Sequence, residues 1–415
     1  MPAAGGRHVF AVGEVLTSAN AQNFLMDQTI MYFATAATRT AGITSPTAGM
    51  VTFRADGNSG AGIIEYYTGA TWQAIPISSG STGINRNALL NADFQINQRG
   101  FTSNTATLAY NFDRWMQQNS GGTCTVTPQT FTPGAAPISG TWEARNYVQL
   151  ITATQAAAGD FAILTQRIED VTKFAGQAIT ISFFAKAGSG TPSIGVEVQQ
   201  NFGTGGSPSA TVSTPIAAKA ITTGWAQYSV TVTVPSITGK TLGTTANTSY
   251  LEVNLWISSG ATNATRASSI GIQNNTFSIW GVKLEAGSTL SSFSLAHDSL
   301  EAELAACQRY YWRNAFVSNG TPISWGFVNS ATNALMFVKL PVTMRATPTM
   351  GTDGTATHYS IQAAAGTFQA SSISLWNFNN TEIVSLIYTI AGATAGQGAL
   401  GTTSTSAFMD FTAEL

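Results

Sequence analysis

Charge is scarce in this chain. Its 415 residues include 18 Lys plus Arg and 20 Asp plus Glu, so 9% are charged and the formal net charge is −2. An ordinary soluble domain carries roughly 25%. That balance gives little basis for a nucleic-acid groove or a polybasic membrane anchor. Cysteine is nearly absent. Cys124 and Cys307 have no metal-ligand spacing, and a bridge between them would span too much chain to be read from sequence. The three histidines, His8, His297 and His358, are scattered. Neither a metal nor a cofactor is therefore expected. No run of eighteen apolar residues occurs, so no helix is expected to cross a membrane. The first thirty residues contain Glu14 and Asp27 and lack an apolar h-region, so they are not read as a signal peptide.

Catalytic signatures are equally thin. Gly239-Lys240-Thr241 resembles the end of a phosphate-binding loop, but the glycine needed five positions earlier is Val234. The run Gly396-Gln-Gly398-Ala-Leu-Gly401 matches the bare dinucleotide pattern, yet only fourteen residues follow it. A βαβ unit needs about thirty. Neither G-x-S-x-G nor H-E-x-x-H is present. A glycosidase needs two facing carboxylates. Glu143, Asp160, Glu169 and Asp170 are the acids in reach, but the adjacent pair Glu169 and Asp170 would point to opposite faces of a strand. They read as a solvated loop edge beside Arg167, and no catalytic residue is assigned.

What the chain does have is apolar bulk. Hydrophobic residues make up 44%, including 22 Phe, 11 Tyr and 9 Trp. Real cores can form, and wholesale disorder is not expected. At roughly 150 residues per domain the length suggests about three domains. A surface of Ser, Thr, Asn, Gln and Gly suits an extracellular or assembled β-rich protein.

The pattern predicts a mainly β chain. An apolar stripe at Phe24, Leu25, Gln28 and Met31 predicts a short helix over about Ala19–Met31, capped by Thr17 or Ser18. A β-meander follows, with strands near Val51–Arg54, Ile63–Tyr67 and Trp72–Ile75, and a linker over 76–85. From Asn87 onward eight β-runs appear without intervening helices: TCTVTP, YVQLIT, AILTQRI, QAITISFFAKA, SIGVEVQQ, AQYSVTVTV, SYLEVNLWI and TFSIWGVKLE. They predict an antiparallel β-sandwich, or jelly roll. Ile179, Ile181 and Phe183 should oppose Leu251, Val253, Leu255 and Ile257 across its core, leaving Glu252, Asn254 and Trp256 on the other face. Asp298 to Glu301 has capping-box-like spacing. Leu300, Leu304, Cys307 and Tyr311 then form the stripe of a helix over about Ser299–Tyr311, with Cys307 read as a small buried hydrophobe. A C-terminal β-rich domain follows, and after Arg345 it contains no Lys or Arg. The domains expected are thus 1–34, 35–84, 85–296 and 297–415.

Exposed aromatics over sugar rings are a plausible binding device. Trp256 and Trp280 lie inside strand-like runs and read as core. Trp142 sits in a loop-like stretch, Asn201 opens a Gly-rich polar loop, and Trp376 ends the SISLW run. These three are the ligand-binding candidates.

The opening phrases GEVLTSANAQNFLMDQTIMYF and GMVTFRADG…IIEYYTGATWQAI resemble the N-terminal module of minor tail proteins of phages that infect actinobacteria. RNALLNADFQINQRG, AYNFDRWM, LTQRIEDV, GQAITISFFAKA, QNFGTGGSPS, FSIWGVKLEAG and ELAACQRYYWRN resemble a module of phage tail fibres and tail-tip proteins. The two cover roughly residues 10–314, and LPVTMRATPTM resembles the distal part of the second. The resemblance implies a virion component with a jelly roll akin to carbohydrate-binding modules. It implies a homotrimer, contacts with other tail or baseplate proteins through the N-terminal region, and attachment to host cell-wall glycan through the distal part. It implies neither nucleic-acid binding nor membrane insertion. It also implies that Asp113, Arg114 and Trp115, with Gln308, Arg309 and Tyr310, serve the fold rather than catalysis. No coiled coil or collagen-like repeat is present, which favours a compact tip protein. A tail-associated glycan depolymerase and a ligand-free architectural spacer are the alternatives.

Overall fold

The computed structural model describes residues 30–56, 62–75, 87–138, 143–316, 320–377, 379–403 and 407–415. The chain divides into two compact units, Met1–Ile84 and Asn85–Leu415. The helix expected over Ala19–Met31 lies outside the described residues except at its end, where Met31 opens a strand instead. Among the described residues no helix is long and apolar enough to cross a membrane.

In the first unit, strands β1 (Met31–Phe33), β2 (Val51–Arg54), β3 (Ile63–Tyr67) and β4 (Trp72–Ile75) form one sheet in that order. The three expected meander strands are all present. β1 pairs parallel to β2 through a short helix, Ala36–Gly42, that the sequence reading did not contain. Its run AATRTAG is too short to show an apolar stripe, and a capping box between Thr35 and Thr38 starts it. The buried Glu65 then joins Arg39 of the helix to Arg54 of β2.

The second unit opens with eleven strands: β5 (Ala109–Tyr110), β6 (Met116–Ser120), β7 (Thr123–Thr130), β8 (Asn146–Ala153), β9 (Phe161–Glu169), β10 (Ala178–Ala187), β11 (Ser193–Asn201), β12 (Val212–Ala220), β13 (Ala226–Thr233), β14 (Tyr250–Ser259) and β15 (Thr276–Ala286). They make a five-stranded sheet, β13-β10-β15-β8-β7, facing a six-stranded one, β12-β11-β14-β9-β6-β5. Neighbours pair antiparallel in both sheets. This is the jelly-roll-like sandwich that the spacing predicts. Ile179, Ile181 and Phe183 of β10 and Leu251, Val253, Leu255 and Ile257 of β14 lie in one buried core with Trp115 and Trp280. The eight expected runs are all strands. β12, with Pro215, is an added strand at the sheet edge, where a residue without an N–H is tolerated.

Among the described residues the remainder holds one α-helix, Leu300–Gln308, and ten strands: β16 (Tyr311–Phe316), β17 (Pro322–Ser330), β18 (Asn333–Lys339), β19 (Thr349–Thr352), β20 (Tyr359–Ala363), β21 (Gly366–Gln369), β22 (Ser372–Leu375), β23 (Ile383–Thr389), β24 (Gly398–Thr403) and β25 (Ala407–Thr412). A seven-stranded sheet, β21-β20-β24-β17-β18-β23-β22, packs over the three-stranded β16-β25-β19. Met336, Val338, Leu386 and Tyr388 of the larger sheet share a second core with Met409 and Phe411 of β25.

The helix corrects two expectations. Its N-cap is Ser299, whose hydroxyl accepts from Ala302 N–H, not Asp298. Its buried face carries Glu303 and Cys307, whereas Leu300 is 49% exposed. The carboxylate of Glu303 sets this rotation, because it accepts the backbone N–H of Asn91 at 2.6 Å and of His297 at 3.1 Å. Two backbone donors away from water would otherwise go unpaired. Cys307 is fully buried, as expected.

Candidate ligand-binding faces

Each sheet of the second unit has one face in a core and one turned outward, so the outward faces are the first places to seek a site. On the six-stranded sheet, strand alternation turns Glu197 of β11, Glu252, Asn254 and Trp256 of β14, and Thr165 and Arg167 of β9 away from the core. Yet this face is largely closed. Glu197, Asn254 and Thr165 are fully buried, and Trp256 is 1% exposed. Glu197 accepts from Arg266 Nε at 2.8 Å, Trp256 Nε1 at 3.0 Å and Asn254 Nδ2 at 3.1 Å. The segment carrying Arg266 covers one end of the face; a Cβ on Gly195 of β11 would strike the Ala267 carbonyl. Trp256 is therefore core-like, as its strand position suggests.

The other end of the face is covered by the chain's last residues. Arg167 Nε donates to Glu252 at 2.7 Å, and its Nη1 donates to the Leu415 main-chain oxygen. Tyr110 Oη donates to the same oxygen at 3.1 Å. Arg99 donates to Glu414 at 3.1 Å, and Arg114 pairs with that carboxylate too. Arg345 donates to the carbonyls of Ala413 and Glu414 at 2.8 Å each. Four arginines thus clasp residues 413–415 on the sandwich. What remains open is the β11–β12 edge, where the half-buried Gln199 stands beside the exposed Ser213. That edge offers no aromatic ring.

Exposed rings lie instead on the outward face of the seven-stranded sheet. Trp325 of β17 is 50% exposed, Phe327 is 40%, and Leu400 of β24 is 44%. Leu400 pairs with Trp325, which pairs with Phe337 of β18; in the next row Phe327 pairs with Leu335. Two cross-strand rows therefore set five apolar side chains together. Gly326 between the two aromatics lets the strands approach, because a Cβ there would overlap the Leu335 carbonyl. Lys339 at the end of β18, paired with Glu382 at 3.6 Å, is the nearest charge along that strand.

Trp142 lies outside the described residues. Asn201 ends β11, and its side-chain oxygen accepts Gly203 N–H at 2.9 Å. The loop that follows is laddered to residues 241–245 through Gly243, Thr244 and Thr245 N–H groups. Trp376 is half-buried at the end of β22, its backbone N–H bonded to Ser385 O at 2.7 Å. The structure places Asn201 in the sandwich and Trp376 in the distal sheet rather than in one cluster. Trp325 and Phe327 were missed because ISWGFV reads as a strand without showing which face meets water.

The carboxylates are each engaged locally. Glu143 accepts Gly134 N–H at 2.8 Å, Asp160 accepts those of Ala156 and Ala157, and Glu169 pairs with Arg309 at 3.0 Å. Asp170 has left β9, at φ 69, and accepts Thr172 N–H at 2.9 Å. Among the described residues no cluster of His, Cys, Asp and Glu could hold a metal ion.

No family model matches the sequence, and no curated protein matches it. Partial structural likenesses exist. One is to the enzymatically active domain of bacteriophage CBA120 tailspike protein 4, at 14% identity and a TM-score of 0.28, covering 48% of this chain and 21% of that one. Another is to a sugar-binding protein of Bacteroides thetaiotaomicron, at 13% identity and 0.30, covering 49% and 100%. A third is to the CBM22-2 xylan-binding domain of Paenibacillus barcinonensis Xyn10C, at 12% and 0.27, covering 43% and 94%.

Proposed function

We propose that this chain is a structural tail-tip or tail-fibre protein of a phage infecting actinobacteria, and that it attaches to host cell-wall glycan without cleaving it. The observation that carries the binding role is the exposed pair Trp325 and Phe327, joined by Leu400 on the outward face of the distal sheet. Contiguous apolar surface of this kind marks an interaction site. The scarcity of charge after Arg345, where four acids and no Lys or Arg occur, suits a face that meets uncharged sugar. The ordered tail-protein phrases support the virion role, and the N-terminal region would then contact neighbouring tail proteins. A homotrimer would add several weak contacts into useful avidity.

The test is binding of the full chain, displayed on beads at high valency, to purified host cell walls. Trp325→Ala with Phe327→Ala should abolish retention while leaving the unfolding midpoint close to that of the wild type. Undiminished retention of the double variant would remove this face from consideration. Incubation with the same walls should release no new reducing ends; sustained release would favour a depolymerase.

A further inference from the structure

Where the sandwich meets the helix Leu300–Gln308 lies a cavity of about 240 Å³. Arg114, Arg167, Lys173 and Arg309 line it, with His297 and Glu169. Four of the chain's 18 basic residues therefore border one small space. Arg345 stands just behind, its backbone N–H bonded to the Arg309 carbonyl at 2.8 Å.

The charges around this cavity do not balance. Arg167 pairs with Glu252, Arg309 with Glu169, and Arg99 and Arg114 share Glu414. Asp113 stands 3.9 Å from Arg99. Among the described residues Arg345 donates to the carbonyl oxygens of Asn247, Ala413 and Glu414. Lys173 has no ion pair among the described residues, and its Nζ stands 5.9 Å from the Phe174 ring centre. Six cations thus meet four side-chain carboxylates and the Leu415 main-chain oxygen, and the cation left over, Lys173, is exposed at the rim. Arg114 is the one withdrawn from water, at 1% exposed, where each unmet donor is costly.

Arg114 shows the shortfall at the level of one atom. Its Nη1 serves Glu414 and its Nη2 donates to the Arg167 carbonyl at 2.5 Å. The Tyr310 ring lies 3.5 Å from the guanidinium carbon. Its Nε is buried and has no acceptor. The Glu169–Arg309 pair is the most exposed of those at the cavity, at 30% and 41%. Arg309 is therefore the side chain most able to turn toward an incoming anion. Guanidinium forks match carboxylate and phosphate oxygens in pairs, and Lys173 adds a point charge.

We propose that this cavity binds one carboxylate or phosphate group carried on a small polar ligand, such as an acidic sugar or a sugar phosphate. Its walls come from the sandwich and the helix. None of them belongs to the aromatic face, so the site stands or falls separately from the adhesive reading. The volume suits a single sugar residue or an inorganic phosphate and is below that of the usual drug-sized pocket.

Calorimetric titration of the full chain with inorganic phosphate, glucuronate and glucose tests the proposal. Saturable millimolar or tighter binding of at least one anion is expected, with none of glucose. Phosphate alone would point to a phosphorylated ligand, glucuronate alone to an acidic sugar, and both to a general anion site. Arg309→Gln and Lys173→Glu should each weaken binding roughly tenfold. Lys173 is exposed and unpaired, so its substitution should leave the unfolding midpoint in place and keep the test valid if Arg309→Gln folds poorly. Trp325→Ala should bind the anion as the wild type does. Absence of saturable anion binding, or equal affinity in wild type and Lys173→Glu, would overturn the proposal.

Discussion

Arg114 and Glu414 stand 300 residues apart in the chain and meet as an ion pair whose side chains are 1% and 7% exposed. Removing Arg114 takes away the fully buried partner of Glu414, leaving it only Arg99 at 3.1 Å, and empties the space beside the Tyr310 ring. Arg114→Ala should therefore cost about 3–5 kcal/mol of unfolding free energy. Urea unfolding followed by tryptophan fluorescence measures it. Glu414→Gln should cost less, since an amide oxygen can still accept. A cost below about 1 kcal/mol for Arg114→Ala would mean that the clasp contributes nothing beyond an exposed pair.

Gly326 allows β17 and β18 to close. A methyl group there would overlap the Leu335 carbonyl and stand 2.8 Å from Met336 Cα, both backbone positions that cannot rotate away. Gly326→Ala should destabilise the distal sheet by about 3 kcal/mol or more. The same unfolding assay, with near-ultraviolet circular dichroism for the packing around Trp325, reads the loss. Wild-type stability in this variant would refute the close approach.

Stability should fall between mildly acidic and mildly alkaline pH. Burial pushes the Glu303 carboxyl up to about 7 and that of Asp113 up to about 6, and it raises Asp93 as well. A carboxyl whose folded pKa exceeds its unfolded value holds its proton longer in the folded state. The folded protein therefore binds more protons over the interval, and stability declines as pH rises through it. Asp160 and Asp353 are shifted downward, by backbone hydrogen bonds from Ala156 and Ala157 and by the His358 side chain respectively, and they oppose this trend only in strong acid. Unfolding midpoints should be higher at pH 5 than at pH 8. Glu303→Gln should flatten that difference, and an unchanged profile in the variant would assign the effect elsewhere.

Neither cysteine should react in the folded protein. Cys124 and Cys307 are free, fully buried thiols, and burial pushes that of Cys124 up to about 12 and raises that of Cys307 well above its ordinary value. Thiolate is the reactive form. Titration with an aromatic disulfide reagent should find no thiol natively and two in denaturant.

The sandwich was legible because alternation at period two survives in single segments. Ile179, Ile181 and Phe183 announce their face within one strand, and so do Leu251 and Val253. What lies over the opposite face was not legible. Glu252 and Asn254 are placed by alternation on the face away from the core, but nothing local shows that Arg167, Arg266 and residues 413–415 cover them from remote parts of the chain. The helix near Leu300 lies where the spacing puts it, with Cys307 and Tyr311 buried; Leu300 turns outward instead, and the buried place goes to Glu303, which accepts two backbone N–H groups. The exposed ring of Trp325 hid in a strand that is apolar on both faces.

The order in which these parts leave the ribosome follows from β25. That strand sits between β16 and β19, and the residues just beyond it reach the sandwich. β16 and β19 are translated first and must wait for their shared partner, on the order of ten seconds at ordinary elongation rates for β16. During that delay each keeps an unpaired edge that a neighbouring nascent chain could occupy. Synthesis at crowded polysomes is then the moment at which chaperone protection matters most for this protein.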